Sequence, residues 1–266
     1  MSARRSLQGY QPRLPGALLI IVLWLLSVVL GRQFVHAFAL PGEELGALLG
    51  TALGSFAFLF VYGWLTGQTP SRLLRPPNAR GNAALGEVLA PLLALSFGDA
   101  LLTCALDVWF RMSDVGFADP ITGYPGKTLD AHFLIALTSE VALFPLVEEL
   151  VFRGIVLRGL LQHHTPLIAI LLSAALFGLM HIEWPLVCYS TLGGVLYGWI
   201  YWRTRALWPC ILAHVFNNAF VELVWLPMFE FTVRGVLLAL VAGLVLLMLG
   251  IRWLAVRTSP QSGVPS

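Results

Sequence analysis

Apolar residues run through this chain in eight long blocks, near 15–31, 46–66, 85–108, 132–157, 166–182, 186–202, 206–226 and 234–254. Pro, Gly and charged residues gather between them. Each block holds about 17–25 residues, the length an α-helix needs to cross about 30 Å of hydrocarbon. Lipid offers no water to backbone N–H and C=O groups, so such a block is read as a helix that satisfies them internally. The pattern predicts an all-α polytopic membrane bundle of about eight transmembrane helices. Glu87, Asp99, Asp107 and Glu140 interrupt the third and fourth blocks and are expected to face the bundle interior or a wet cavity. Pro145 is expected to kink the fourth block.

Composition strengthens this reading. Of 266 residues, 58% are hydrophobic and 11% charged, with a mean hydropathy of +0.82. Soluble domains carry about 25% charged residues. The first block follows Arg4, Arg5 and Arg13 and has no clear small-residue cleavage site after it, so it reads as a retained helix. The expected organisation is a cytoplasmic N-terminal tail over 1–14, one transmembrane domain over 15–257 and a flexible polar tail over 258–266. With the N-terminus inside, twelve Lys or Arg fall on inner segments, or eleven with Arg153 counted as intramembrane, and four, Arg32, Arg111, Lys127 and Arg234, on outer ones. That bias places both termini in the cytoplasm.

Smaller features follow. Gly46, Gly50 and Gly54, and Gly194 with Gly198, have the four-residue spacing that lets helices approach closely. Residues 68–82 read as an irregular inner connection near anionic headgroups, and 112–131 as the longest outer loop. Cys104, Cys188 and Cys210 have no metal-site spacing and read as packing residues. Trp184, Trp202 and Trp208 fall at expected helix ends, where membrane interfaces favour them.

The chemistry lies in Glu148-Glu149-Leu150-Val151-Phe152-Arg153. Each ionisable group at membrane depth costs about 2.5–3.5 kcal/mol on insertion scales, so the cluster points to function. Residues four apart share a helix face, whereas neighbours diverge by about 100°. Glu149 is therefore expected to pair with Arg153, leaving Glu148 as the carboxylate available for chemistry. An ion-pair network that only fixes packing is the plainer alternative.

Two histidines, His181 and His214, also fall in apolar blocks, and Asn218 follows His214 by one turn. Asn217 points to another side, where an interhelical hydrogen bond is its expected role. A buried carboxylate beside a histidine can take a proton from water near neutral pH. His181 would hold that water, while His214 and Asn218 would donate to the oxyanion of an attacked carbonyl. This combination points to amide hydrolysis in or beside the membrane. The set Glu148, His181 and His214 could instead hold Zn²⁺, although no local zinc signature occurs. No serine-nucleophile elbow, phosphate-cradling loop or nucleic-acid stripe is visible, and Ser139, Ser173 and Ser190 read as bundle hydrogen-bonders.

Glu148-Glu149-x-x-x-Arg153, Phe177-x-x-x-His181 and His214-x-x-x-Asn218 together resemble the three motifs of the CPBP family of intramembrane proteases, which includes the CAAX prenyl endopeptidases. The resemblance covers about 70 residues of the second half, within a core at 132–226. It implies an eight-helix fold with Glu148 as base, His181 beside it, and His214 with Asn218 as the oxyanion site. It also implies supporting positions for Glu149, Arg153 and Phe177, and no cofactor, with zinc as the alternative. Membrane lipids and a membrane-anchored or lipid-modified protein or peptide are the expected partners, and nucleic acid is not. Among family members, the compactness of this chain favours a bacterial cytoplasmic-membrane enzyme. A non-catalytic scaffold or immunity protein on the same fold, and a transporter using Asp99, Asp107 and Glu140 as a proton relay, are the competing readings.

Overall fold

Each apolar block takes up helix. The structure, a computed structural model, describes residues 9–37, 43–68, 85–115, 131–222 and 232–258. Among them stand eight helical segments and no strand: α1 Leu14–Ala37, α2 Glu43–Thr66, α3 Leu85–Val115, α4 over 131–160, α5 Pro166–Leu179, α6 Trp184–Thr204, α7 Trp208–Phe220 and α8 Val233–Arg257. Most of the two expected loops and the tail beyond Thr258 lie outside the described residues. Four helices are each long and apolar enough to cross a bilayer: α1, Leu45–Thr66 of α2, Val88–Met112 of α3, and α8. With them the chain is an integral membrane protein.

Helix α5 is shorter than its apolar block, with 14 residues, or about 21 Å of rise. The expected helix over 166–182 stops at Leu179 because Ile182 takes a left-handed conformation, φ 63°, and Pro185 opens α6. His181 thus sits in the α5–α6 turn, not within a helix. Of the block over 206–226, residues 223–226 lie outside the described residues.

Helix α4 is not uniform. Ser139–Leu143 and Leu150–Leu157 are π-helical, with Phe144 N–H bonded to Ser139 O and Arg158 N–H to Arg153 O, five residues back. Pro145 offers no N–H, and its ring would press on the carbonyl four residues before it. The wide turn just ahead of it relieves both demands, and such π segments recur at functional sites. Glu140 is exposed on this helix and so not in the bundle interior, one of the two settings expected for it.

The helices group into two packed units, residues 1–76 with 128–169 and residues 77–127 with 170–266. In the first, α1 and α2 cross at glycines. A Cβ on Gly31 would meet Gly50 O, one on Gly54 would meet Ser27 O, and one on Gly50 would lie 2.5 Å from Arg32 Cα. A Cβ on Gly46 would find only Val35 Cγ1, at 3.9 Å, so the close face is Gly31, Gly50 and Gly54. Trp24 donates from Nε1 to Ser55 Oγ at 3.1 Å and packs edge-on to Phe152 of α4, centroids 6.1 Å apart. Gly54→Val is expected to cost about 1–3 kcal/mol, as overpacking does. Gly46→Ala should be neutral, and thermal unfolding in detergent distinguishes the two.

In the second unit α3 lies along α8, with Gly98 against Gly243 and Leu247, and Gly250 against Leu95. Cys104, Ala105, Val108 and Met112 of α3 form a buried cluster with Val236 and Ala239 of α8. Phe97 of α3 packs on Phe216 and Phe220 of α7, centroids 4.7 and 5.8 Å apart. The outer faces stay apolar and exposed, as at Leu19, Leu30 and Phe34 of α1 and Leu238, Val241 and Met248 of α8. Such faces suit acyl chains.

Candidate active site

The acids lie in the first unit. Glu149 and Arg153 are fully buried, and Arg153 Nη1 donates to Glu149 Oε1 at 2.8 Å. The spacing of four brings them to one face where the helix begins to widen into its π turn. Desolvating both charges is expensive, and their pairing offsets part of that cost. Glu148, the neighbouring residue, is half-buried. The two carboxylates therefore occupy different surroundings although they are adjacent in sequence.

The imidazoles and the amides lie in the second unit. At the end of α5, Gly178 lets α6 come close, since a Cβ there would lie 2.8 Å from Val187 O. The chain then turns: His181 N donates to Gly178 O at 3.0 Å, and Glu183 N to His181 O at 2.7 Å. His181 Nδ1 is 3.1 Å from Phe177 O. A carbonyl can only accept, so Nδ1 carries a proton, and in the neutral imidazole Nε2 is the acceptor nitrogen.

His214 is buried on α7 among rings. Tyr197 of α6 stacks on it, centroids 5.0 Å apart and planes 24° from parallel. Phe177 of α5 meets it edge-on at 5.8 Å and meets His181 edge-on at 5.1 Å. One phenyl ring thus touches both imidazoles, and Gly194 leaves room for it, a Cβ there lying 3.3 Å from Phe177 Cδ1. Asn218 is half-buried one turn beyond His214. Asn217 takes another direction and donates from Nδ2 to Asp99 Oδ2 of α3 at 2.6 Å, an interhelical bond. Cys210 in the first turn of α7 donates to Tyr197 O at 3.3 Å.

Reasoning from the sequence missed Tyr197 and did not identify the partners of Asp99. Asp99 accepts from Tyr197 Oη at 2.7 Å as well as from Asn217. Asp107 is paired with Arg111 at 2.8 Å. Both acids of α3 that the transporter reading would employ are therefore committed to short polar contacts. A carboxylate inside an apolar block signals only that a partner exists; a tyrosine 98 residues away carries no mark in the sequence. Within each unit, among the described residues, no three His, Cys, Asp or Glu gather as metal ligands. The set Glu148, His181 and His214 draws on both units.

Comparison with known proteins bears on the same stretch. A Bacillus subtilis protein named as a membrane peptidase, YdiL, is 32% identical over 82 residues, 31% of this chain and 34% of that protein. The match thus spans about a third of the relative's length. No solved structure matches significantly. Residues 130–220 match the family described as type II CAAX prenyl endopeptidase, Rce1-like. The matched stretch includes Glu148, Glu149, Arg153, His181, His214 and Asn218.

Proposed function

We propose that the chain is an intramembrane endopeptidase in which Glu148 activates water. Glu148 takes a proton from the water, whose oxygen attacks the substrate carbonyl carbon, and returns the proton to the departing amine. His181 holds the water through Nε2. His214 and Asn218 donate to the oxyanion that forms. The observation that carries this reading is the contrast within α4: Glu149 is buried and paired with Arg153, whereas the adjacent Glu148 is half-buried. The family match over residues 130–220 supports the reaction class.

The substrate in this proposal is a membrane-anchored or lipid-modified protein or peptide cut near its C-terminus. The arginine bias and the Bacillus subtilis relative favour a bacterial cytoplasmic membrane with both termini inside. The test is comparative proteomics of membranes holding the wild type or Glu148→Gln. A protein that keeps its terminal segment only with the variant is expected. Identical membrane proteomes, with a phenotype that survives the substitution, would instead favour a scaffold.

A zinc-dependent form of the same protease is the second reading. His181 donating from Nδ1 to a backbone carbonyl is the arrangement that orients metal-binding imidazoles, and Glu148, His181 and His214 would be the ligands. Zinc there would lower the pKa of the attacking water. The purified enzyme is expected to keep its activity in chelator. Loss of activity restored by Zn²⁺ would establish the metal form instead.

A further inference from the structure

We infer that Asp99 is a positioning residue for the oxyanion side of the site, acting on His214 through Tyr197 and on α7 through Asn217. This rests on the role proposed above for His214 and Asn218.

Asp99 is 3% exposed in the middle of an apolar helix, where a carboxylate is costly. It is held by donors from two other helices: Tyr197 Oη of α6 at 2.7 Å and Asn217 Nδ2 of α7 at 2.6 Å, both on Oδ2. The Asn217 amide also lies 3.3 Å from Thr103 Oγ1, one turn along α3 from Asp99. A carboxamide nitrogen has two hydrogens, and these two acceptors engage both. Two anchor points on one helix face fix the rotation of α7 about its axis. That rotation sets where His214 and Asn218 point, because they lie three residues before and one after Asn217.

The second arm acts on the ring itself. The bond from Tyr197 Oη to Asp99 fixes the phenol at its far end, and the phenol face lies on His214. Phe177 closes the side of the imidazole edge-on. An oxyanion donor contributes most when its direction is set before the reaction, so that no reorganisation accompanies charge development. Asp99 supplies that direction from α3 although it touches neither imidazole nor substrate in this account. A group that served only stability would hold the helices together without governing the ring.

The test reads His214 directly. In protein labelled at histidine and kept in lipid nanodiscs, the Cε1–H resonance of His214 is assigned by its loss in His214→Gln. The stacked Tyr197 ring displaces this resonance. Tyr197→Phe keeps the ring and removes its anchor; Asp99→Leu removes both anchors; Asp99→Asn keeps an acceptor oxygen. Tyr197→Phe and Asp99→Leu are expected to move or broaden the His214 signal while those of His36 and His163 stay in place. Asp99→Asn should restore most of the wild-type position. An unmoved signal in folded Asp99→Leu would overturn the inference, and if that variant does not fold, an unmoved signal in Tyr197→Phe does so alone.

Activity gives the second readout. On a substrate found by the proteomic comparison, folded Asp99→Leu should lose about ten-fold or more in kcat with little change in KM, as loss of transition-state stabilisation requires. Wild-type kcat in that variant would overturn the positioning role. The resonance is independent of cleavage, so an active Glu148→Gln enzyme would remove Glu148 as the general base and leave the coupling of Asp99 to His214 standing.

Discussion

Arg153→Met is expected to destabilise the protein by about 3–5 kcal/mol, the usual consequence of stranding one member of a buried ion pair. Both side chains are sealed from solvent, at 1% and 0% exposure, and the guanidinium lies 2.8 Å from the carboxylate. Methionine fills much of the arginine volume, so the loss is one of charge compensation and not of packing. The companion variant Glu149→Leu/Arg153→Met removes both charges and should recover most of the stability, since apolar replacements of buried pairs are often neutral or better. Thermal unfolding in detergent, with membrane abundance measured alongside, separates the two outcomes. A single variant as stable as the wild type would show that Arg153 does not compensate Glu149.

Glu148→Gln should leave the fold intact and lower the cleavage rate by about 10²–10⁴-fold, the range that a positioned general base contributes. Glutamine keeps the shape and hydrogen-bonding reach of glutamate but cannot accept the proton of the attacking water. Glu149→Gln should behave in the opposite way, reducing the amount of folded protein and leaving specific activity per folded molecule near normal. The contrast is informative because the two residues are neighbours and differ in surroundings, Glu149 buried against Arg153 and Glu148 half-buried. Equal losses of specific activity in both variants would contradict the assigned roles.

The positions of the helices were legible because lipid imposes apolarity over whole helical lengths, and the eight segments follow that pattern from Leu14 to Arg257. The interior of α4 was not legible. A helix that closes its bonds five residues back keeps the same apolar residues as one that closes four back, and Pro145 marks only the neighbourhood of the change. The end of α5 was hidden for a similar reason. Residues 166–182 are almost uniformly apolar, and the left-handed Ile182 that carries His181 into a turn has no glycine to announce it.

Contacts show the same division between local and distant information. The pairing of Glu149 with Arg153 follows from spacing along one helix. The glycine face was half visible: Gly50 and Gly54 stand out on α2, but their counterpart Gly31 on α1 has no repeating partner to draw attention to it. Asp99 was conspicuous as a charge in an apolar block, whereas Tyr197 and Asn217 are 98 and 118 residues away. Tyr197 in particular looks like any aromatic of a membrane helix until its ring is found against His214.

The account turns on Glu148 and His181 acting on the same water, and comparing Glu148→Gln, His181→Ala and the double variant in one cleavage assay tests this most directly. Residues that act as a unit have grossly non-additive effects. The account predicts that the double variant is about as slow as the slower single variant. A double variant whose loss equals the product of the two single losses would mean that the carboxylate and the imidazole work independently, and would contradict it.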